Sequence, residues 1–308
     1  MKRQRKTVLV TGGAGFVGSH LVYRLVDAGY PVTVVDTNIS KNPEPKAGLI
    51  RYKTNIADTS IEKIFRDNVP DVLFHLAGPI YLRRPIMSQE FTLSLNFLEG
   101  LVNLINAAHK YGTRKVILVS SGGAIYGDAG LIPTPEDWQP QPNGLYGLAN
   151  LMMENVLQEF CSQNQMGWQI LRLSNLYGSR QWKDGIIPSI AIALFTGAAP
   201  VIHGDGRQTR DFLYISDAID AFMLAMSKDI NGLFNLSSGI EIPINTVFSE
   251  LVKLIKVNIC PHYQPNEAAG TQRSCLDSSK FRNNFNWEPK TCFEEGLIKT
   301  ILWYRENH

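Results

Sequence analysis

The segment Gly12-Gly13-Ala14-Gly15-Phe16-Val17-Gly18 constrains this chain more than any other. It follows a short β-branched run, Thr7–Thr11, and opens a stretch with helical spacing of apolar residues, His20–Ala28. Glycines at 12, 15 and 18 permit a tight turn and let a ligand approach the backbone, and a helix N-terminus offers unpaired N–H groups and a positive dipole end. Taken alone, such a turn is only a strand–helix connection. The next strand changes that reading, because Val32–Asp36 ends in a carboxylate. An acid there accepts both hydroxyls of a ribose and repels an added 2′-phosphate. No Arg or Lys directly follows Asp36, so the expected ligand is NAD rather than NADP.

The alternation continues. Val72–Ala77, Val116–Ser120 and Trp168–Arg172 read as buried strands, with Ser60–Asp67, Phe91–His109 and Leu148–Cys161 as helices between them. Such alternation predicts an α/β fold: a Rossmann-type doubly wound parallel sheet with right-handed crossovers. Beyond Arg172 the pattern loosens, leaving Thr246–Lys256 and Gly296–Tyr304 as helices. The expected organisation is an NAD-binding domain over 1–172 and a smaller, interleaved substrate-binding cap over 173–308. Residues 212–235 return to the first domain.

Composition removes several alternatives. A net charge of +2 over 308 residues gives no reason to expect nucleic acid or an anionic membrane. The basic start, Lys2 to Lys6, reads as a solvated lead into the first strand, and no signal peptide is expected. Gly185–Ile202 is the most apolar long window, but Pro188, Gly197 and Pro200 make it a buried helix and turn, not a membrane span. Cys161, Cys260, Cys275 and Cys292 are scattered without a CxxC pair, which argues against metal or disulfides and for a reducing cytoplasm.

Further landmarks complete the pattern: His75-Leu76-Ala77-Gly78, Ser120-Ser121-Gly122-Gly123-Ala124-Ile125-Tyr126-Gly127, Tyr146-Gly147-Leu148, Arg172 to Gly178, and Gly204 to Phe212. With the glycine loop, they resemble the extended short-chain dehydrogenase/reductase family, and within it the nucleotide-sugar epimerases and dehydratases related to UDP-glucose 4-epimerase. The resemblance implies NAD as cofactor and a nucleotide-diphosphate sugar as substrate. Beyond Gly12, Gly15, Phe16, Val17, Gly18 and Asp36, it implies cofactor contacts from Asn38, Asn55, Ile56, Leu76, Ala77, Asn96, Ser120, Tyr146 and Asn150. An Asp is usual where Asn55 stands; the amide carbonyl is expected to accept from the adenine amine instead. Asn175, Val201, His203, Arg210 and Arg273 fall where the sugar nucleotide is held. A guanidinium at 210 suits phosphate oxygens, and the bland alternative is a salt bridge to Asp205 or Asp211. Arg273 is weaker, since the Arg often found upstream is Ala268 here. The family also implies a homodimer through the helices at 91–109 and 148–161.

The catalytic pattern is broken. The family uses Tyr-x-x-x-Lys on one helical face, the ammonium lowering the tyrosine pKa so that it serves as a base. This chain reads Tyr146-Gly147-Leu148-Ala149-Asn150. Asn150 can bond ribose hydroxyls but brings no charge, so little phenolate and slow or absent catalysis are expected. Gly122 stands where a Ser or Thr often bonds the sugar's 4-oxygen, leaving Ser121 as the nearest hydroxyl. Gly123 and Ala124 occupy the places where dehydratases carry acids, and decarboxylases keep a Glu at the second of them. These losses favour C4 epimerisation. The alternatives are a silent NAD- and sugar-nucleotide-binding protein and a 4-keto-sugar reductase.

Overall fold

The computed structural model describes residues 5–39, 46–78, 87–181, 185–265 and 271–307, with backbone only over 87–95. Lys2, Arg3, Gln4 and Ala268 lie outside the described residues. The chain divides into two compact units. The first comprises residues 1–125, 142–172 and 222–234, and the second residues 126–141, 173–221 and 235–308.

Through residue 173 the elements run β1 (Val8–Thr11), α1 (Phe16–Asp27), β2 (Val32–Asp36), β3 (Leu49–Lys53) and α2 (Ser60–Asn68). Then come β4 (Val72–His75), α3 (Met87–Lys110), β5 (Lys115–Ser121), α4 (Gly122–Ile125), α5 (Gly144–Gln163) and β6 (Gly167–Leu173). The rest contains β7 (Asn175–Tyr177), α6 (Ile186–Phe195), β8 (Val201–His203), β9 (Thr209–Tyr214), α7 (Ile215–Ser227) and β10 (Gly232–Leu236). It closes with β11 (Glu241–Pro243), α8 (Ile244–Ile255), β12 (His262–Gln264), α9 (Ser279–Phe285) and α10 (Phe293–Asn307).

Seven strands form the main sheet in the order β10-β6-β5-β4-β1-β2-β3. The pairings of β1 with β2 and β4, of β2 with β3 and of β4 with β5 are parallel. This is the expected doubly wound fold. Strands β1 and β4 are buried along their whole length, as β-branched and aromatic runs covered on both faces require. The strand at Leu49–Lys53 went unread in the sequence because it is a sheet edge. Its residues are exposed or half-buried, so it lacks the apolar run that marks its neighbours.

Two segments join the units differently from the sequence-based boundary. Residues 126–141 pack in the second unit, where buried Asn235 gathers them: Tyr126 Oη donates to its Oδ1 at 3.0 Å, its Nδ2 donates to the Thr134 carbonyl at 3.0 Å, and its N–H donates to Glu136 Oε1 at 2.8 Å. The return to the first unit begins at Phe222, inside α7, rather than at 212. In that unit Lys115, only 4% exposed, caps the end of α7 through the carbonyls of Ala225 and Lys228. A cation suits carbonyls left unpaired at a helix C-terminus, although burial pulls this ammonium below the usual lysine range.

Candidate active site

In the first unit, β1 ends in the glycine turn. Gly12 takes φ +69° and donates its N–H to the Val35 carbonyl at 2.9 Å. A Cβ on Gly12 would meet the Ala77 nitrogen at 2.7 Å, and one on Gly18 would meet the Gly12 oxygen at 2.1 Å. Those two glycines are demanded by the protein's own packing. Gly15 is different: its Cβ would meet only the Gly12 oxygen, at 3.3 Å. It is the N-cap of α1, with no side-chain cap and no acid in the first turn. The first-turn N–H groups of α1 therefore have no side-chain cap, and the open face at Gly15 lets an anion such as a pyrophosphate approach them.

Asp36 is half-buried at the end of β2. Its Oδ2 accepts the Ala14 N–H at 2.9 Å and its Oδ1 the Asn38 N–H at 2.9 Å. Two backbone donors fix the carboxylate beside the glycine turn and leave lone pairs for hydroxyl donors. Phe16 and Val17 open α1 half-buried, and Phe16 sits edge-on to His20 at 5.7 Å. Leu76 and Ala77 follow β4, with the Leu76 N–H on the Thr11 carbonyl at 3.2 Å. Ile56 is buried and Asn55 exposed after β3, and Asn96 is an exposed residue of α3.

His75, at the end of β4, is fully buried with Nδ1 2.7 Å from Thr11 Oγ1. Burial pushes its pKa down to about 4. The unfolded chain takes up a proton near pH 6.5 and the folded one only near 4, so this contribution is complete above 6.5 and is lost on acidification. Urea unfolding should show about 3 kcal/mol less stability at pH 4 than at pH 7 from this residue. His75→Phe should flatten that part of the profile, and an unchanged slope would refute the assignment.

The N-terminus of α5 lies against α4. The Asn143 N–H reaches the Ala124 carbonyl at 3.3 Å, and a Cβ on Gly147 would meet that oxygen at 2.2 Å. Glycine at 147 therefore brings the turn of α5 that carries Tyr146 onto the segment that follows Ser121. Tyr146 and Ser121 are both half-buried. Two expected cofactor contacts also bond within the protein. Asn150, 4% exposed, donates Nδ2 to the Tyr146 carbonyl at 2.8 Å, binding back onto its own helix. Ser120, 5% exposed, donates its hydroxyl to Glu154 Oε1 at 2.6 Å.

That last bond belongs to a network the sequence reading missed. Arg172 on β6 donates Nε to Glu154 Oε1 and Oε2, both at 3.1 Å, and Nη2 to Oε2 at 2.7 Å. Arg172 and Glu154 are 3% and 2% exposed. Glu154 thus clips α5 to the ends of β5 and β6. The signal was available: Asn150 and Glu154 are polar residues four apart on a helical face otherwise carrying Ala149, Met153 and Leu157.

In the second unit, Arg210 and Asn175 lie on adjacent strands of the sheet β11-β9-β7, with Asn175 in register with Phe212. Arg210 is half-buried, and burial lowers its pKa. The alternative salt bridges are not formed. Asp211 turns inward to Ser238, Gly239 and Leu276, and Asp205 pairs with Arg207 at 3.7 Å. Among the described residues no ion pair includes Arg210, although the Asp128 charge acts on it, and a partly desolvated cation there suits an anionic ligand. Arg273 is exposed and held bidentately by Glu241, so a phosphate would have to compete for it. Val201 and His203 are exposed on β8, paired with β12. Beside them Gly204, Asp205, Tyr263, Gln264 and Pro265 line an open cavity of about 470 Å³.

These features coincide with known proteins. Residues 8–237 match the sequence profile of the NAD dependent epimerase/dehydratase family. A putative UDP-glucose 4-epimerase of Methanocaldococcus jannaschii is 30% identical, over 98% of this chain and 99% of its own. The structure of the Thermotoga maritima UDP-glucose 4-epimerase with UDP-glucose superposes with a TM-score of 0.92 at 33% identity, covering 98% and 99% of the two chains. That of the Thermus thermophilus UDP-glucose 4-epimerase with NAD does so at 0.86 and 28%, covering 97% and 99%. With the glycine turn, the acid closing β2 and these likenesses along nearly its whole length, the chain belongs to the NAD dependent epimerase/dehydratase family.

Proposed function

We propose that this chain is an NAD-using 4-epimerase of a nucleotide-diphosphate sugar, slowed by the absence of a cation at position 150. The supporting observation is the segment after β5. Gly147 seats α5, and with it Tyr146, against Ala124, while Gly123 and Ala124 carry no acid that could drive water or carboxylate loss from the same intermediate. Bound NAD supplies reversible oxidation at a sugar carbon. The glycine turn receives its pyrophosphate and Asp36 its ribose hydroxyls. Tyr146 takes the proton of the sugar 4-hydroxyl and returns it to the ketone oxygen after the sugar has turned over. Ser121 is the second hydroxyl at that oxygen. Arg210 and Asn175 hold the diphosphate, whose charge answers the half-buried Arg210 guanidinium.

The reaction has no net redox change. Incubation with UDP-glucose, the ligand of the Thermotoga neighbour, should produce slow inversion at C4 by NMR without NADH accumulating. Formation of a keto sugar as end product would replace this reading. So would a purified chain that neither carries nor binds NAD.

A second reading has its own support. Asn150 is bonded back to its helix and supplies no charge toward Tyr146, which suits a protein that binds NAD and a sugar nucleotide without turnover. We also propose a homodimer through α3 and α5, where Val102, Leu148 and Met152 are exposed apolar residues. Sedimentation should give a dimer at micromolar concentration and a monomer for Leu148→Glu/Met152→Glu; a monomeric parent would exclude it. A reducing cytoplasm accords with four free cysteines, and among the described residues no helix is long and apolar enough to cross a membrane.

A further inference from the structure

Ser120 is the next-to-last residue of β5, and its one hydroxyl proton goes to Glu154 of α5 at 2.6 Å. The Glu154 carboxylate does not depend on a serine for its charge balance. Arg172 on β6 already gives it three bonds, at 3.1, 3.1 and 2.7 Å. What Ser120 adds is a second direction. Arg172 ties α5 to β6, whereas Ser120 ties it to β5, the strand whose last residue is Ser121. A bond from an O–H to a charged oxygen is short and strong, so it fixes how far along the strand the helix sits.

The way α5 is held elsewhere makes that bond matter. The helix begins at Gly144 with no side-chain cap and no acid in its first turn. Beside Tyr146, it meets the segment after β5 through the close approach of Gly147 to the Ala124 carbonyl. The Asn143 N–H reaches the same oxygen at 3.3 Å, long for a bond of this type. Packing of this kind limits approach but resists sliding and tilt less than a short hydrogen bond does. Tyr146 stands eight residues before Glu154 on the same helical face, about 12 Å along the axis. Asn150 lies midway and is bonded to the Tyr146 carbonyl. A shift at Glu154 is therefore carried up the helix to Tyr146.

We propose that Ser120 is a positioning residue for Tyr146: its bond to Glu154 sets the register of α5 against β5, and with it the separation of the Tyr146 phenol from Ser121. The proposal rests on the epimerase reading, in which those two hydroxyls meet the sugar 4-oxygen. Ser120 acts through Glu154 and touches neither sugar nor NAD. Alanine at 120 leaves Arg172 on the carboxylate, so the fold should survive while the register is released.

The test places a fluorotyrosine at position 146 of the full chain and reads its fluorine NMR spectrum with NAD added. The parent is compared with Ser120→Ala and with Ser120→Thr, which restores the hydroxyl. The parent should give one narrow line, Ser120→Ala should shift or broaden it, and Ser120→Thr should bring it back. On the unlabelled chain with UDP-glucose, Ser120→Ala should lower kcat by about tenfold and leave KM unchanged, because a misplaced base costs rate rather than binding. The fluorine signal needs no turnover. A parent without activity would sink the epimerase reading, while a line that moves in Ser120→Ala and returns in Ser120→Thr would still support the positioning role. A line unmoved by Ser120→Ala would overturn the proposal and leave the epimerase reading standing. So would a Ser120→Ala chain that binds NAD about tenfold more weakly, since Ser120 would then be in contact with the cofactor.

Discussion

Asn150→Lys should raise the rate of C4 inversion by about 100-fold or more, the usual worth of a general base that becomes competent. The side chain at 150 lies on the same helical face as Tyr146, one turn along, and is 4% exposed. There a charge is poorly screened and favours the phenolate over the phenol. The present amide donates to the Tyr146 carbonyl, a bond lysine can forgo because that carbonyl keeps its place in the helix ladder. The double variant Asn150→Lys/Tyr146→Phe should lose the gain entirely. If Asn150→Lys melts like the parent, binds NAD and still turns nothing over, the silent-binder reading replaces the epimerase.

The largest stability effect should come from Glu154→Gln. It leaves the Arg172 guanidinium, 3% exposed, without the carboxylate that takes three of its bonds. Breaking a buried pair from one side costs about 3–5 kcal/mol. Urea unfolding should shift accordingly, and Glu154→Leu/Arg172→Leu should recover much of the loss, since no charge is then stranded. A loss under 1 kcal/mol for the single variant would mean the network carries little stability. Ser120→Ala, which removes one bond of 2.6 Å from the same carboxylate, should cost less.

Much of the fold was legible because a parallel sheet covered on both faces demands continuous apolar runs. Val32–Asp36 was read to the residue, and Trp168–Arg172 fell one residue short at each end of Gly167–Leu173. The edge strand Leu49–Lys53 was not, since half-exposed strands carry no such run. In the site, residue types were legible and orientations were not. Asn55, Asn150 and Ser120 carry polar groups suited to a cofactor, yet each has a nearer partner in Ala57, Tyr146 or Glu154. Those bonds depend on turn and helix geometry, which spacing alone does not fix. Arg210 shows the reverse: its neighbouring aspartates looked like partners, and both turned out to be engaged elsewhere.

The helix that Lys115 caps also sets an order of events. The first unit is closed by Phe222–Phe234, more than a hundred residues after Lys115. A ribosome that has just released β6 has therefore delivered an unfinished unit, with Lys115 lacking its carbonyls and β6 lacking its neighbour β10. Long loop closures of this kind slow folding. A chain stopped near residue 180 should emerge protease-sensitive, and resistance should be acquired only once residue 234 has cleared the exit tunnel.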